Sequence, residues 1–527
     1  MSLTREVARF VHTTRLADIP AEVQTLAKSY ILDGLGVALA GSTEPCCKIA
    51  LKHYQAQAPR GQAWVIGQPV RMPAETAAFL NGMAAHAMDY DDTQLSTSKD
   101  AVYGLLTHPT TPVLNAAWAA AEVAGKGGKE LLEAYILGVE IECRLSDAMS
   151  PKHYQNGFHS TGTVGHLGAA MAAGKLLDCT EDELVHALGL AASMAAGLRE
   201  NFGTMTKPFH AGRAAGNGLL AVLLTKRGFT STDVILEARR GFFHAFGQGN
   251  PYEASKVEGR FGRPYFFIEP GIAIKPYPSG SLSHPAQDVI LELVKTHDIK
   301  PDQVEKIDVG TNSNIPNALI YPMPTTELEG KFSIPFCMAI AVVERKAGIA
   351  QFTTEKVRDP RVVEIMKRTT LYVDPEMERL GFDLARSVVK VRLTDGRVIE
   401  GRADRAHGTP PDLLSFDQLA EKFRDCARLA VAKEQTERAV EAVRHIETVG
   451  RISAFLGGLA GRAAARAARP ARSAARKAGA KTAAARKTAK KAAPKKAAAK
   501  RAAPKRAPAR KAAARRPARR SAASRSR

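Results

Sequence analysis

Four loops in this sequence each carry a histidine or a lysine shortly ahead of a segment predicted to be helical. They hold His108 in Thr-His-Pro, His159 in Gly-Phe-His, Lys207 in Thr-Met-Thr-Lys-Pro and Lys275 in Ile-Lys-Pro-Tyr-Pro. Free N–H groups and a partial positive charge at a helix N-terminus favour an anion. Histidine has an unperturbed pKa suited to proton transfer near neutral pH. One such loop would be unremarkable, but the recurrence predicts an electropositive cleft that binds a small polycarboxylate.

An acidic run, Asp89-Tyr-Asp-Asp-Thr93, follows the helix predicted to begin at Met72-Pro73. Carboxylates at a helix C-terminus lie at the unfavourable end of the helix dipole, by about 0.3–1 kcal/mol each if exposed. Two interpretations stay open for this run. It is a solvated helix end, or it supplies a carboxylate that acts as a base or orients one of the histidines.

Helices must position these loops, and the pattern predicts a mainly α fold with two folded domains and a tail. Apolar spacing and Pro or Gly boundaries predict helices at 3–13, 20–41, 73–88, 112–125, 164–177, 211–225 and 286–296. After about residue 265, segments 304–310, 369–373, 387–393 and 397–403 alternate like strands, with an Asp-Gly hairpin signal at 395–396 and helices at 332–345 and 416–432. We therefore predict a large all-helical domain (1–265), a smaller α+β domain with closing helices (266–450) and a disordered basic tail (451–527).

The excess of positive over negative charge in this chain lies in that tail. The whole sequence has a net charge of +22, but residues 451–527 hold 26 Lys and Arg and no Asp or Glu, which leaves the first 450 residues at −4. Alanine, lysine, arginine and proline dominate the tail, so it cannot bury enough apolar surface to fold alone. Its charge density suits non-specific binding to nucleic acid, and its composition is similar to linker-histone-like tails. The alternative is a solvated tail without a specific partner.

No cofactor, metal or membrane is predicted from the sequence. The six cysteines show no Cys-x-x-Cys pair, and the N-terminus has no apolar signal core, so we expect a reduced, cytoplasmic protein. No run of about 18 apolar residues occurs. The sequence lacks a P-loop, a His-Glu-x-x-His motif, an EF-hand loop and a strand-linked Gly-x-Gly-x-x-Gly. The chemistry is therefore expected to come from the protein's own side chains.

Taken together, the motifs resemble the MmgE/PrpD family over roughly residues 3–445. The likeness lies in His-Ala-Met-Asp-Tyr-Asp-Asp-Thr, Thr-His-Pro, Gly-Phe-His, Gly-Thr-Met-Thr-Lys-Pro-Phe-His-Ala-Gly and Lys-Pro-Tyr-Pro. The family includes 2-methylcitrate dehydratase of propionate catabolism, cis-aconitate decarboxylase and iminodisuccinate epimerase. The resemblance implies a helical domain, a smaller α+β domain over the active site, a homodimer and no required metal. In the decarboxylase branch, the active-site positions correspond to Asp89, Thr93, His108, His159, Lys207, Lys275 and Tyr321.

Two departures from the decarboxylase branch are visible. That branch has a further histidine five residues after the lysine matched by Lys275, where this chain has Gly280, and His284 follows four residues later. This chain also has extra residues between Thr93 and His108.

From the resemblance and the residues, we predict a cofactor-independent lyase of small di- or tricarboxylates, with a dehydratase of the 2-methylcitrate type as the leading reaction. Asp89, His108, His159 and Lys207 are the predicted catalytic residues. The predicted substrate-binding residues are Thr93, Lys207, Lys275 and Tyr321. Decarboxylation and epimerisation are the alternatives within the family. A nucleic-acid-binding protein built on an inactive enzyme scaffold is the alternative from another class.

Overall fold

The computed structural model describes residues 1–57, 60–94, 106–149, 152–381 and 384–461. The predicted mainly α fold with a smaller α+β part is confirmed. The first part is helical, apart from the two-stranded antiparallel ribbon of β1 (Ala63–Trp64) and β2 (Arg71–Met72). Its helices are α1 (Leu3–Thr13), α2 (Ala21–Gly41), α3 (Pro45–Gln57), α4 (Ala74–Ala87), α5 (Thr110–Ala124), α6 (Gly128–Ala148), α7 (Lys152–Gln155), α8 (Ser160–Thr163), α9 (Gly165–Leu176), α10 (Glu181–Met194), α11 (Thr206–Thr225), α12 (Phe242–Phe246) and α13 (Ala254–Val257).

Glycine contacts bring α4 and α11 together in an antiparallel pair. A Cβ atom at Gly212 of α11 would lie 2.5 Å from the carbonyl oxygen of Phe79 in α4, and one at Gly82 would lie 3.1 Å from the Cα of Gly212. Only residues without a side chain permit backbones to approach so closely. The pairing places the C-terminal end of α4, which leads to Asp89, beside the N-terminal end of α11, which carries Lys207.

The α+β part is built on a four-stranded sheet in the order β4-β3-β5-β6. Strand β3 (Val304–Thr311) pairs in parallel with β4 (Thr369–Val373), and it pairs antiparallel with β5 (Ser387–Leu393), which forms a hairpin with β6 (Val398–Ala403). Its helices are α14 (His284–Thr296), α15 (Asn314–Ala318), α16 (Glu327–Gly330), α17 (Ile334–Glu344), α18 (Thr354–Val357), α19 (Pro360–Lys367) and α20 (Pro375–Arg379). Strand and helix residues between 282 and 393, with Phe202, share one apolar core.

The chain then returns to the helical part through α21 (Phe416–Ala427), α22 (Lys433–Arg444) and α23 (Ile452–Gly457). Their apolar residues from Leu419 to Leu459 belong to the same core as α1–α11. The sequence placed residues 451–461 in the tail, but Ile452, Leu456 and Leu459 are buried there because their apolar side chains recur at helical spacing. Residues 462–527 of the predicted tail lie outside the described part of the chain.

The helices that follow His108 and carry Lys207 begin earlier than predicted. Helix α5 begins at Thr110 with Pro109 at its N-cap, whereas Pro112 was predicted as its first residue. Helix α11 begins at Thr206, so Lys207 belongs to its first turn. Pro208 fits in this turn because the N–H that proline lacks would have no partner within the helix there. Within the described ranges, no helix combines the length and the apolarity needed to cross a bilayer.

Candidate active site

A polar cavity lies between the two apolar cores. It measures about 460 Å³, including its opening to solvent. The polar side chains that line it come from Asp89, Thr93, His108, His159, Lys207, Lys275 and Ser281. The apolar wall is formed by Leu106, Tyr154, Phe202, Leu282, Leu319 and Phe332. The structure thus brings together six of the seven predicted site residues, from segments up to nearly two hundred positions apart in the sequence.

Asp89 accepts hydrogen bonds from both predicted lysines. The Nζ of Lys207 lies 2.6 Å and the Nζ of Lys275 lies 3.0 Å from Oδ1 of Asp89, and all three residues are buried. Burial alone would raise the pKa of Asp89, but the charges of Lys207 and Lys275 outweigh it and hold the pKa well below its usual value. Asp89 is therefore a carboxylate that offsets one of two adjacent positive charges.

The acidic run is buried, so the alternative of a solvated helix end is wrong. Asp89, Asp91 and Asp92 are 3%, 1% and 1% exposed. Each carboxylate has its own partners, and those of Asp89 are the two lysines. Asp91 accepts from Oγ1 of Thr111 and from His86, and Asp92 accepts from Oγ1 of Thr110. These contacts compensate for carboxylates placed at the end of α4.

Three imidazoles contact one another close to these carboxylates, and we name them the histidine cluster: His86, His108 and His159. Nδ1 of His86 donates to Asp91 at 2.7 Å, and its Nε2 accepts from Nζ of Lys207 at 2.9 Å. Nδ1 of His108 lies 2.7 Å from the carbonyl oxygen of Asp92. A carbonyl oxygen can only accept, so this contact assigns the His108 proton to Nδ1 and leaves Nε2 with a free lone pair.

His159 has an imidazole nitrogen that is buried and unsatisfied. His159 is the N-cap residue of α8, and its backbone N–H donates to the carbonyl oxygen of Gly197 at 3.0 Å. Nδ1 contacts Nδ1 of His210 at 3.2 Å, while Nε2 has no hydrogen-bond partner among the residues that the structure describes. Buried polar atoms are rarely left without a partner, so an unpaired nitrogen on a cavity-lining residue marks a position for a ligand or a reacting group.

The electrostatics keep the cluster neutral. Burial lowers the pKa of His108 well below the usual value and outweighs the opposing charge of Asp91. Burial and then the charge of Lys207 lower the pKa of His159 well below the usual value. Burial also lowers the pKa of His86, although Asp91 opposes that shift. Neutral imidazoles at ordinary pH are able to accept a proton, as a general base must.

Of the two remaining predicted residues, Thr93 lines the cavity and Tyr321 does not. The Oγ1 of Thr93 lies 3.2 Å from Nδ1 of His108 at the cavity wall. Tyr321 is not among the cavity-lining residues of the described chain, and its hydroxyl donates to the carbonyl of Phe202 at 2.9 Å. Gly280 lines the cavity, but His284 turns away from it and contacts the carbonyl of Ser279 at 3.1 Å. His284 thus does not take the place of a histidine at position 280. Of the stretch between Thr93 and His108 that holds the extra residues, 95–105 lie outside the described ranges.

A metal ion does not fit this arrangement well. One ligand atom from each member of the histidine cluster lies within 4.8 Å of the others, which is close enough for a shared ion. However, both nitrogens of His86 are already engaged, because Nδ1 donates to Asp91 and Nε2 accepts from the ammonium of Lys207. Two buried ammonium groups beside these nitrogens also repel a cation. We therefore assign no metal to the cluster.

Sequence reasoning missed His86 and His210 as members of the site, and it named Asp91 only as part of the acidic run. His86 and Asp91 lie in the motif around Asp89, and His210 lies three residues after Lys207 in the same first turns of α11. The signal was their place in the motif, because His86 lies in the last turn of α4, directly ahead of the acidic run. Only the packing of α4 against α11 shows that His86 meets Lys207.

These features together define the class of the protein: a mainly helical fold with a smaller α+β part and a buried cavity lined by histidine, lysine and aspartate side chains. Comparison with known families gives the particular family. Residues 5–255 match the MmgE/PrpD N-terminal domain and residues 277–448 match the MmgE/PrpD C-terminal domain. The chain therefore belongs to the MmgE/PrpD family, and the resemblance seen in the motifs is confirmed.

Individual relatives are similar over nearly their whole length. The chain is 28% identical over 459 residues to cis-aconitate decarboxylase of Homo sapiens, an alignment that covers 85% of this chain and 92% of the relative. It is 26% identical over 476 residues to cis-aconitate decarboxylase of Aspergillus terreus, covering 86% and 95%. Family membership and these relatives support a lyase-type role for this chain.

Proposed function

We propose that this chain is a cofactor-independent lyase that moves a proton on a carbon next to a carboxylate of a small di- or tricarboxylate. The observation that carries the proposal is the buried, unpaired Nε2 of His159 in a cavity that also holds two buried lysines. A base needs a free lone pair, and a polycarboxylate needs fixed positive charge.

Substrate binding is assigned to the two lysines. Lys207 and Lys275 both donate to one oxygen of Asp89, and Oδ2 of Asp89 has no partner within the described residues. Each ammonium has three N–H donors, so it can bind a substrate carboxylate while it keeps Asp89. Asp89, with its low pKa, is a weak base, and we assign it the task of orienting the lysines.

The proton step is assigned to the histidine cluster. In a dehydration, Nε2 of His159 or of His108 takes the proton from the carbon next to a carboxylate. The electron pair forms the new C=C bond as the C–O bond of the hydroxyl group breaks, and the hydroxide leaves as water with a proton from a protonated imidazole. The lysines stabilise the negative charge that develops on the carboxylate as the proton departs.

Dehydration of the 2-methylcitrate type is the leading reaction, because Gly280 stands where the decarboxylase branch has a histidine and His284 lies outside the cavity lining. Decarboxylation of the cis-aconitate type is the second candidate, and the relatives favour it. There, the C–C bond to a carboxylate breaks, CO2 leaves, and an imidazole protonates the carbon. An epimerase reaction would need only removal and return of the proton.

The test is turnover by the purified full chain of 2-methylcitrate, citrate, cis-aconitate and iminodisuccinate, followed by NMR of the products and measurement of CO2. An unsaturated product without CO2 supports the dehydratase, and CO2 release from cis-aconitate supports the decarboxylase. The control is His159→Gln, which keeps a polar side chain and removes the imidazole. Absence of turnover with all four compounds, or full activity in both His159→Gln and His108→Gln, would overturn the proposal.

Three further predictions accompany it. The resemblance implies a homodimer, the unpaired cysteines favour a cytoplasmic protein, and the basic tail suits non-specific nucleic-acid binding. A chain that binds nucleic acid but turns over no polycarboxylate would instead favour the inactive-scaffold alternative.

A further inference from the structure

A buried lysine behind the cavity holds the two segments that carry Asp89 and Lys275. Lys422 lies on α21, and its Nζ donates to the carbonyl oxygen of Tyr90 at 2.8 Å and to the carbonyl oxygen of Lys275 at 2.9 Å. It also forms an ion pair with Oδ1 of Asp33 on α2 at 2.7 Å. Lys422 is buried, but it is not one of the cavity-lining residues in the described chain.

The two carbonyls belong to the chain segments that form the anion-binding centre. Tyr90 directly follows Asp89, and the other carbonyl is that of Lys275 itself. In the cavity, the side chains of Asp89 and Lys275 meet at 3.0 Å. One ammonium therefore links the backbones of both segments. Its Nζ also lies 3.8 Å from the centre of the aromatic ring of Tyr90, a cation–π contact.

Within the described residues, Asp33 forms no ion pair other than the one with Lys422. Burial raises the pKa of Asp33, and the charge of Lys422 opposes that rise. The pair comes from helices far apart in the sequence, α2 and α21. This contact joins α21 to the helical part of the protein after the chain has left the sheet.

We infer that Lys422, paired with Asp33, is a positioning residue that sets the separation of Asp89 and Lys275 and so prepares Lys275 to bind a substrate carboxylate. The inference rests on the proposed function for the identity of the ligand, but the positioning itself is a geometric statement. A buried ion pair can also serve stability alone, and the experiment must separate the two roles.

Lys175 provides a matched control. Its Nζ donates to the carbonyls of Val11 at 2.9 Å and Thr14 at 2.6 Å and pairs with Glu133 at 3.2 Å, the same type of contact set in a region that does not line the cavity. Lys422→Met and Lys175→Met each remove an ammonium and keep most of the side-chain length. Both are expected to lower the Tm, but only Lys422→Met should affect the site.

The measurement is citrate binding to the full chain by calorimetry, together with kcat and KM for any compound turned over. We expect Lys422→Met to bind citrate about tenfold or more weakly, mainly as an increase in KM, because a misplaced Lys275 loses a charge-assisted hydrogen bond. Lys175→Met should bind as the unaltered protein does. Equal affinity in all three proteins would overturn the inference.

A double variant keeps the test valid if Lys422→Met folds poorly. Asp33→Asn with Lys422→Met removes both buried charges, so stability should recover while the two carbonyls remain unsupported. Weak citrate binding with a recovered Tm supports positioning, and recovery of both overturns it. A crystal structure of the double variant without ligand tests the geometry even if citrate is not bound. Unchanged contact between Asp89 and Lys275 would refute positioning, whereas a failure of the unaltered protein to bind any polycarboxylate would refute only the proposed substrate class.

Discussion

Replacing Lys207 by Met tests the centre of the proposed site. Lys207 is 4% exposed and donates to both Asp89 and His86. Met keeps most of the bulk but leaves His86 without its donor and Asp89 with one cation. Removing one partner of a buried ion pair costs about 3–5 kcal/mol, and we expect the lower end because Lys275 remains beside Asp89. The sequence alone favoured little effect on folding, since it gave Lys207 no partner within the protein.

Catalysis should suffer separately from stability. A lost charge-assisted hydrogen bond to a substrate carboxylate is worth about 1.5–3 kcal/mol, or about tenfold to a hundredfold in kcat/KM. The pH profile should also move. Burial and then the charge of Lys207 lower the pKa of His159, so removing that charge raises it toward its ordinary value. His159 accepts a proton only when it is neutral, and the acidic limb of kcat/KM should therefore shift to higher pH.

The assays are steady-state kinetics across pH and thermal unfolding, with Lys126→Met as control. Lys126 pairs with Asp178 at 2.8 Å on the surface, and exposed pairs contribute about 0–1 kcal/mol. Lys207→Met with an unchanged Tm would refute its buried pairing. An unchanged kcat/KM with an unshifted acidic limb would refute its role in binding and its influence on His159.

Four further outcomes are expected. His159→Gln should lower kcat by about 10²–10⁴ with little change in Tm, because Nε2 has no partner to lose within the described residues, and a large fall in Tm alone would contradict this. Burial lowers the pKa of His153, His166 and His210 to about 4 each, so the unfolded chain binds more protons than the folded one between about 6.5 and about 4. The contribution of these histidines to stability is thus lost as the pH falls through that window, whereas Glu122, whose pKa burial raises to about 7, acts in the opposite direction. The change in Tm from about pH 7 to about pH 5 should therefore shift towards stabilisation in His166→Gln relative to the unaltered protein, and an identical change in both would contradict this. Removing 462–527 should abolish salt-dependent DNA binding and leave turnover intact, whereas a truncated chain that still shifts DNA would place the binding elsewhere. Turnover should survive EDTA, and loss restored by a divalent metal would contradict the cofactor-free mechanism.

Local sequence was sufficient for most of the elements. Alternation in 387–393 and the Asp-Gly turn predicted the hairpin of β5 and β6, and it is confirmed. Helix ends were less exact at Pro109 and Thr206, because a proline is compatible with several positions in a first helical turn. The start of the tail was also set too early, since four apolar residues within 452–459 are enough for one more packed helix, α23.

The sequence by itself determined which side chains are available for chemistry: residue type fixes the lone pairs of His108 and His159, the charges of Lys207 and Lys275, and the family motifs around them. Only the tertiary structure decided which of these groups meet. Close packing of α4 on α11 brings His86 to Lys207, and the return of α21 brings Lys422 behind Lys275. Such contacts join residues more than a hundred positions apart in the sequence, and burial then lowers the pKa of groups such as His86 and Lys207. Local patterns carry no information about either, because distance and dielectric environment are properties of the folded chain.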